Sequence, residues 1–345
     1  MGRDVGFGVV GCGVVSGYHI NGILETPGAR LAAVSDVVEG RAREFGERHR
    51  VAWTTDYHDL LKREDIQVIN ICTPNGMRLP LAEEAARAGK HLVIEKPIAI
   101  SLKETDRIIT ACARAGVHLM CVFQLRYGKA ASALRKAVQE GQLGRVVLGD
   151  AYIKWFRPQA YYESAAWRGT WAQEGGGALM TQGIHTVDLL QWIMGPVRSV
   201  TARMGALVHR IEVEDTIVAT LTYASGALGV IEATTAAHPG LPARIEVCGD
   251  RGTVALEADQ IAIWQVEGVE RPLLTGEASD VGKAASDSKT FGAEGHRAQI
   301  AEMVEVVRTG KRPTIDGPEG RKTVELVLAI YESARTGKAV DLPLG

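Results

Sequence analysis

The sequence is short of three things: paired cysteines, long apolar runs and an excess of charge of either sign. Its five cysteines, at positions 12, 72, 112, 121 and 248 of 345, are odd in number and far apart. That spacing makes neither a disulfide framework nor a metal-binding pair, so no metal is expected and a reducing cytoplasm is the expected compartment. No apolar stretch approaches the roughly 20 residues that cross a bilayer. The opening Met1-Gly2-Arg3-Asp4 runs straight into an apolar strand, which is expected to leave no room for a signal peptide. With 39 basic against 41 acidic side chains, the formal net charge is −2. Neither nucleic acid nor a membrane surface is therefore an expected partner. Aromatics make up only 6% of the chain, so a cluster of them is informative. There is no internal repeat.

What is present is enough for two cores. At 345 residues and 46% hydrophobic, the chain reads as two globular domains. In the first third, apolar runs at Val5 to Val10, Leu31 to Val34, Val68 to Cys72, His91 to Ile94 and His118 to Phe123 read as strands. Helical spacing separates them, from the glycine loop to Thr26, through Arg41 to Arg48, Leu79 to Ala88 and Ser101 to Ala115. Gly89 and Gly116 close the last two. Fully apolar strands alternating with amphipathic helices imply a parallel sheet covered on both faces. Such sheets bind ligands at the carboxyl ends of their strands.

The loop Gly11-Cys12-Gly13-Val14-Val15-Ser16 lies at such an end, after a strand and before a helix. Glycine permits a tight turn and close backbone approach to a pyrophosphate, whose charge a helix N-terminus favours. Ser16 stands where the third glycine of a dinucleotide fingerprint usually stands, and it is still small. Asp36 ends the second strand, 25 positions after Gly11, where a carboxylate can bond both ribose hydroxyls. Neither neighbour, Val37 or Val38, is basic, so a 2′-phosphate would meet an acid with no adjacent cation. The expected cofactor is NAD.

A second strand end carries Glu95-Lys96-Pro97 directly after Leu92-Val93-Ile94. In isolation this tripeptide reads as a surface turn with an ion pair. At the carboxyl end of a nucleotide-binding strand it faces the ligand crevice instead. Partial desolvation beside a cationic nicotinamide favours neutral lysine, which can then accept the proton of a hydroxyl as hydride leaves its carbon. Proline after Lys96 stiffens the backbone and is a candidate for a cis bond.

From about Gly144 onward the pattern changes to alternating strands and glycine turns, such as Thr216 to Tyr223, Ala224-Ser225-Gly226 and Ala227 to Ala236. This predicts an antiparallel meander. Helices near Lys129 to Gln139, Thr181 to Met194, His296 to Arg308 and Pro318 to Ser333 are expected to cover one face. The other face, rich in Val, Ile and Thr, is expected to meet another subunit, making a homodimer or homotetramer. Residues 275–290 are rich in Gly, Ala, Ser and Asp and read as a mobile loop.

These motifs together resemble the Gfo/Idh/MocA family of nicotinamide-dependent sugar and cyclitol oxidoreductases. The resemblance rests on the opening glycine loop with His19, on Asp36, on Thr73-Pro74-Asn75, on Glu95-Lys96-Pro97 and on Gly175 to Asp188. It implies an α/β chain with a Rossmann domain, 1–123, and a C-terminal α+β domain built on a large, mostly antiparallel sheet, 124–345. The implied activity is an NAD(P)-dependent dehydrogenase acting on CH–OH groups. Gly11, Cys12, Gly13, Val14, Val15, Asp36, Thr73, Pro74, Asn75, Glu95 and Lys96 would bind NAD. Lys96 and a histidine of the second motif would handle the proton.

That second motif reads GGGALMTQGIHTVDLLQW, with His185 and Asp188 one turn apart on a helix. The family usually has an acid or asparagine four positions before the histidine; this chain has Thr181, which can hydrogen-bond but cannot carry charge. Asp188 either orients His185 or serves a cap or structural ion pair. The stretch from 155 to 171, WFRPQAYYESAAWRGTW, holds six of the chain's Trp, Tyr and Phe residues. Flat aromatic faces such as Trp167 suit sugar rings, and Arg157 or Arg168 could pair with a carboxylate or phosphate. A packed loop or subunit contact fits the same aromatics equally well. Within the family this stretch looks most like enzymes that oxidise a nucleotide-activated sugar acid at a ring hydroxyl, which points to the 3-hydroxyl of a UDP-sugar uronate. A cyclitol or free-aldose dehydrogenase and an NAD-dependent glycoside hydrolase remain open on the same fold. A cofactor-binding regulator would need neither Lys96 nor His185, and both are present.

Overall fold

The computed structural model describes residues 4–274 and 293–345. The stretch 275–290, read above as a mobile loop, lies outside the described residues. The chain divides into two compact units, one of residues 4–124 with 293–322, the other of 125–274 with 323–345.

The first unit begins with β1 (Val5–Val10), α1 (Val14–Glu25), β2 (Ala29–Ser35), α2 (Glu39–His49), β3 (Ala52–Thr54) and the short α3 (His58–Leu61). It continues with β4 (Val68–Ile71), α4 (Arg78–Arg87), β5 (His91–Ile94), α5 (Leu102–Ala115) and β6 (Leu119–Cys121). The strands form one parallel sheet in the order β3-β2-β1-β4-β5-β6, the dinucleotide-binding order that reverses direction between β1 and β4. Every residue of β1 and β4 is buried, which is why those strands are continuous apolar runs. Local chemistry ends the helices where the sequence predicts. Ser101 caps α5 by accepting from Glu104 N at 3.2 Å, and Gly116 closes it in the left-handed region at φ 67°.

Register aligns the strand ends. Val10 pairs with Ser35 on one side and Ile71 on the other, and Ile71 pairs with Ile94. Gly11, Asp36, Cys72 and Glu95 therefore follow their strands at one level along the carboxyl edge of the sheet. This register sets which motifs meet there.

The second unit is built from α6 (Lys129–Gln139), β7 (Val146–Lys154), α7 (Gln159–Glu163), α8 (Trp171–Glu174), a π-helical segment (Ala178–Gly183) and α9 (Ile184–Met194). There follow β8 (Val197–Gly205), β9 (Thr216–Tyr223), β10 (Leu228–Thr234), β11 (Arg244–Gly249), β12 (Gly252–Glu257) and β13 (Gln260–Val266). The remaining elements are α10 (Ala293–Thr309), α11 (Gly317–Thr336) and β14 (Val340–Asp341). The eight-stranded sheet runs β13-β12-β11-β7-β10-β9-β8-β14. It is mostly antiparallel, but β7 pairs with β10 in parallel, so it is a mixed sheet and not a plain meander. Strand β9 alternates as read: Ile217, Ala219, Leu221 and Tyr223 are buried, while Val218 is 45% exposed. On the outward face an ion pair, Lys154 to Glu232 at 3.0 Å, lies among exposed Val218 and Leu228.

Two helices differ from expectation. The helix expected over Thr181 to Met194 is a π-helical turn followed by α9, so its first residues are wound differently from the rest. Helix α10 lies in the first unit and does not cover the second sheet: Ile300, Met303 and Val304 share a core with Ile20 and Ile23 of α1 and Phe7 and Val9 of β1. The helices pack closely at Gly22, where a Cβ would stand 3.3 Å from Ile300 Cγ1.

Helix α9 is fastened by charge as well as by apolar packing. Asp188 accepts from Arg126 at both oxygens, Nε at 2.8 Å and Nη2 at 2.7 Å, and from Thr323 Oγ1 at 2.7 Å. The Asp188 side chain is fully buried and that of Arg126 is 5% exposed. Removing one member strands a buried charge, a loss of about 3–5 kcal/mol, whereas replacing both with apolar groups is close to neutral. Asp188→Ala is expected to lower urea stability by about that amount, and Asp188→Leu with Arg126→Met to recover most of it.

Candidate active site

The glycine loop is shaped for backbone approach. Gly11 adopts φ 96°, and a Cβ there would stand 2.9 Å from the carbonyl of Cys72. Gly13 precedes the first turn of α1, and a Cβ on it would meet nothing within 4 Å. Glycine at 13 thus leaves open space beside a helix N-terminus whose amides no side chain caps and whose first turn holds no acid. Val14, at that first turn, is 54% exposed. Ser16, fully buried, donates to Gly13 O at 2.6 Å and fills the third fingerprint position. Asp36 accepts from Cys12 N and Val38 N, each at 2.8 Å, so its carboxylate links β2 to the loop. Each carboxylate oxygen retains further acceptor capacity for a ribose hydroxyl. Beyond β4, Thr73-Pro74-Asn75 leads into a single 3₁₀ turn, and Thr73 Oγ1 is buried with no hydrogen-bond partner among the described residues. Open space over an uncapped helix, a fixed acid and an orphaned hydroxyl are what a dinucleotide would use.

Glu95 is buried immediately after β5 and sits in a polar network. Its Oε1 lies 2.9 Å from His19 Nε2 and 4.0 Å from His296 Nε2, and Oε2 accepts from Lys96 N at 3.1 Å. Burial would raise the Glu95 carboxyl, but His19, Lys96 and His296 outweigh it and hold it well below the usual carboxylate range. Burial would likewise lower His19, but Cys72 and Glu95 outweigh it and raise the imidazole to about 10. The pair is thus ionic at neutral pH. An imidazolium needs an acceptor at Nδ1, where Asn70 Nδ2 stands at 2.8 Å while Asn70 Oδ1 is buried and unpartnered among the described residues. Turning that amide over supplies the acceptor for His19. His19, Glu95 and His296 place three possible metal-ligand atoms within 4.8 Å of one another. The Glu95 oxygen is already taken by His19, and the Lys96 and Arg78 cations act on the same carboxylate, so the set is an ion-pair network rather than a metal centre. The Lys96–Pro97 peptide is cis.

One residue here was not singled out from the sequence. Arg78, first in α4 and 4% exposed, donates through Nε to Thr73 O at 3.0 Å and through Nη1 to Glu95 O at 2.6 Å and to Pro97 O. A clue was available: a cation at a helix N-terminus opposes the macrodipole and needs another reason to be there.

In the second unit the glycine motif rests on a buried acid. Glu214 accepts from Gly177 N at 2.8 Å, Leu179 N at 2.9 Å and Tyr331 Oη at 2.8 Å, and burial raises its carboxyl above the usual range. A Cβ on Gly177 would stand 1.8 Å from Glu214 O, so only glycine fits there. Thr181, in the π-helical turn, donates Oγ1 to Gly177 O at 2.7 Å. His185 follows, buried, on the first turn of α9. Asp188, three residues on, accepts from Arg126 and Thr323. Gln182 in the π-helical turn accepts from Arg157 Nη2 at 3.0 Å and donates to Tyr161 Oη at 2.9 Å. The Arg168 guanidinium stacks 4.1 Å from the Tyr161 ring centroid and 4.5 Å from that of half-buried Trp167, with its Nε buried and unbonded among the described residues. The π-helical turn that leads to His185 is thus tied directly to Arg157, which is only 1% exposed, and through Tyr161 to Arg168 and Trp167.

Comparison with known proteins agrees with the two-part fold and its dinucleotide-binding sheet. Residues 5–123 match the model of the oxidoreductase family with an NAD-binding Rossmann fold, and residues 131–255 match the GFO/IDH/MocA C-terminal domain. The chain is 30% identical to the myo-inositol 2-dehydrogenase of Thermotoga maritima, over 97% of this chain and 98% of that one. It is 34% identical to the WlbA dehydrogenase of Bordetella pertussis, solved in complex with NADH and UDP-GlcNAcA, with a TM-score of 0.89 over 99% and 100% of the two chains. An uncharacterized oxidoreductase of Bacillus subtilis, YrbE, is 28% identical over 99% of this chain and 98% of its own. Strand order, glycine loop and full-length likeness converge, and the chain belongs to the GFO/IDH/MocA family of NAD-binding oxidoreductases.

Proposed function

We propose that this enzyme oxidises a secondary ring hydroxyl of a nucleotide-activated sugar acid, the 3-hydroxyl of a UDP-sugar uronate, at the expense of NAD. The observation that carries the substrate class is Arg168: a cation stacked on two aromatic rings, with a buried donor left unbonded, beside the π-helical turn before His185. A neutral cyclitol has no group that needs it, whereas a carboxylate does. The 34% identity to a protein solved with UDP-GlcNAcA supports the same reading.

In this reading the amides of Gly11, Cys12, Gly13, Val14 and Val15 hold the pyrophosphate at the N-terminus of α1, and Asp36 holds the adenosine ribose. Thr73, Pro74, Asn75 and Glu95 line the nicotinamide end. NAD, when bound, accepts the hydride. Lys96 accepts the hydroxyl proton, and His185 holds the hydroxyl in place. Thr181, with its hydrogen committed to Gly177 O, keeps acceptor capacity but offers no charge. Arg157 and Arg168 take the anionic part of the substrate and Trp167 its ring. The five cysteines, none in a disulfide, fit a reducing cytoplasm, and no helix of the described residues is long and apolar enough to cross a membrane. The outward face of the eight-stranded sheet, with exposed Val218 and Leu228, fits a homodimer or homotetramer.

NADH absorbance with UDP-sugar uronates, neutral UDP-sugars, myo-inositol and free aldoses tests the substrate class. Turnover is expected with the uronate, and Arg168→Ala is expected to raise its KM by roughly 10-fold or more with a smaller effect on any neutral UDP-sugar. Preference for myo-inositol would reverse the assignment. Because Asp36 has no basic neighbour at 37 or 38, NAD is expected to bind at least about 10-fold tighter than NADP by fluorescence titration.

A further inference from the structure

We propose that Arg78 is a positioning residue that sets the backbone on both sides of Lys96, an inference that rests on Lys96 as the proton acceptor. The sheet's hold on this segment ends just before the lysine. Glu95 N makes the last ladder bond, to Ile71 O at 3.1 Å. Lys96 N turns instead to the Glu95 side chain, and Pro97 has no N–H to give. The carbonyls of Glu95 and Pro97 thus leave the sheet without strand partners.

One guanidinium supplies both. Arg78 Nη1 donates to Glu95 O and Pro97 O, the carbonyls of the two residues that bracket Lys96. Through Nε the same group holds Thr73 O at 3.0 Å, so it also ties the segment to the loop after β4. The planar fork of arginine suits three acceptors arriving from different directions; the ammonium of lysine is a single point. The residue sits where a cation is disfavoured twice over, at a helix N-terminus and out of water. Those costs are offset only if all its bonds are made, so its geometry is tightly specified. The Glu95 side chain, held by His19, fixes the segment from the other side. Lys96 is thereby the half-buried member of a segment whose flanking carbonyls are both held.

The consequence is a loss of turnover that runs through Lys96 and leaves cofactor binding largely alone. Arg78→Lys and Arg78→Gln, each in the parental and Lys96→Met backgrounds, are compared by urea unfolding, NAD titration and steady-state kinetics. Arg78→Gln is expected to fold, to bind NAD and to show KM within about 3-fold of the parent, with kcat lower by on the order of 10- to 100-fold, the scale of an ångström-sized misplacement. Arg78→Lys, which keeps the charge and part of the bonding, is expected to recover part of that loss, and it carries the same comparison if the glutamine variant does not fold. In the Lys96→Met background neither change should lower kcat by more than about 2-fold, because a positioning residue has nothing left to position. Equal losses in both backgrounds, parental kcat in Arg78→Gln, or a fall in NAD affinity as large as the fall in kcat would overturn the inference. A Lys96→Met enzyme at the parental rate would instead defeat the reading of Lys96 itself.

Discussion

Everything at the carboxyl edge of the first sheet depends on one buried carboxylate. Glu95 leaves water at the end of β5, and an isolated charge there would be very costly. His19 from α1, the Lys96 amide and the nearby His296 from α10 compensate it. These partners come from three separate parts of the chain, so the acid acts as a keystone. It draws α1, β5 and α10 to the same point and leaves the next side chain, Lys96, at the ligand edge. Arg78 does the matching work on the carbonyls.

The second unit solves a similar problem with a different acid. Glu214 lies under the glycine motif and gathers two backbone amides and the Tyr331 hydroxyl. Glycines at 176 and 177 exist because the backbone must pass against Tyr331 Oη and Glu214 O, where a Cβ would collide. The π-helical turn that follows presents Thr181 and Gln182 away from ordinary helical spacing. Such turns interrupt the regular hydrogen-bond ladder and are frequent at functional sites. In each unit, a buried carboxylate holds in place the segment to which the proton chemistry is assigned under the proposed function.

Much of this was legible in the sequence because the signals are local. Alternating apolar runs and glycine stops place β1, β5, α5, α6 and β9 nearly to the residue, and the spacing from Gly11 to Asp36 marks the cofactor edge. What could not be read depends on contacts distant in sequence. Helix α10 was assigned to the second sheet because nothing in its periodicity says which core receives Ile300 and Met303. The π-helical turn was missed because its residues suit an α-helix equally well, and Glu214 and Tyr331, which hold it, lie far along the chain. The ion pair of Asp188 could not be assigned a partner, because Arg126 and Thr323 lie far from it in sequence. Arg78 was overlooked because its partners are backbone carbonyls, which leave no trace in side-chain patterns.

The central claim is that Lys96 takes the proton of the substrate hydroxyl, and chemical rescue tests it most directly. In Lys96→Ala, with NAD affinity shown to be near the parental value, kcat should fall by roughly 10²-fold or more. Small primary amines added to the assay should restore part of it, in step with their basicity. A correctly folded Lys96→Ala enzyme that turns over at the parental rate would contradict the account and leave Glu95-Lys96-Pro97 as a structural corner.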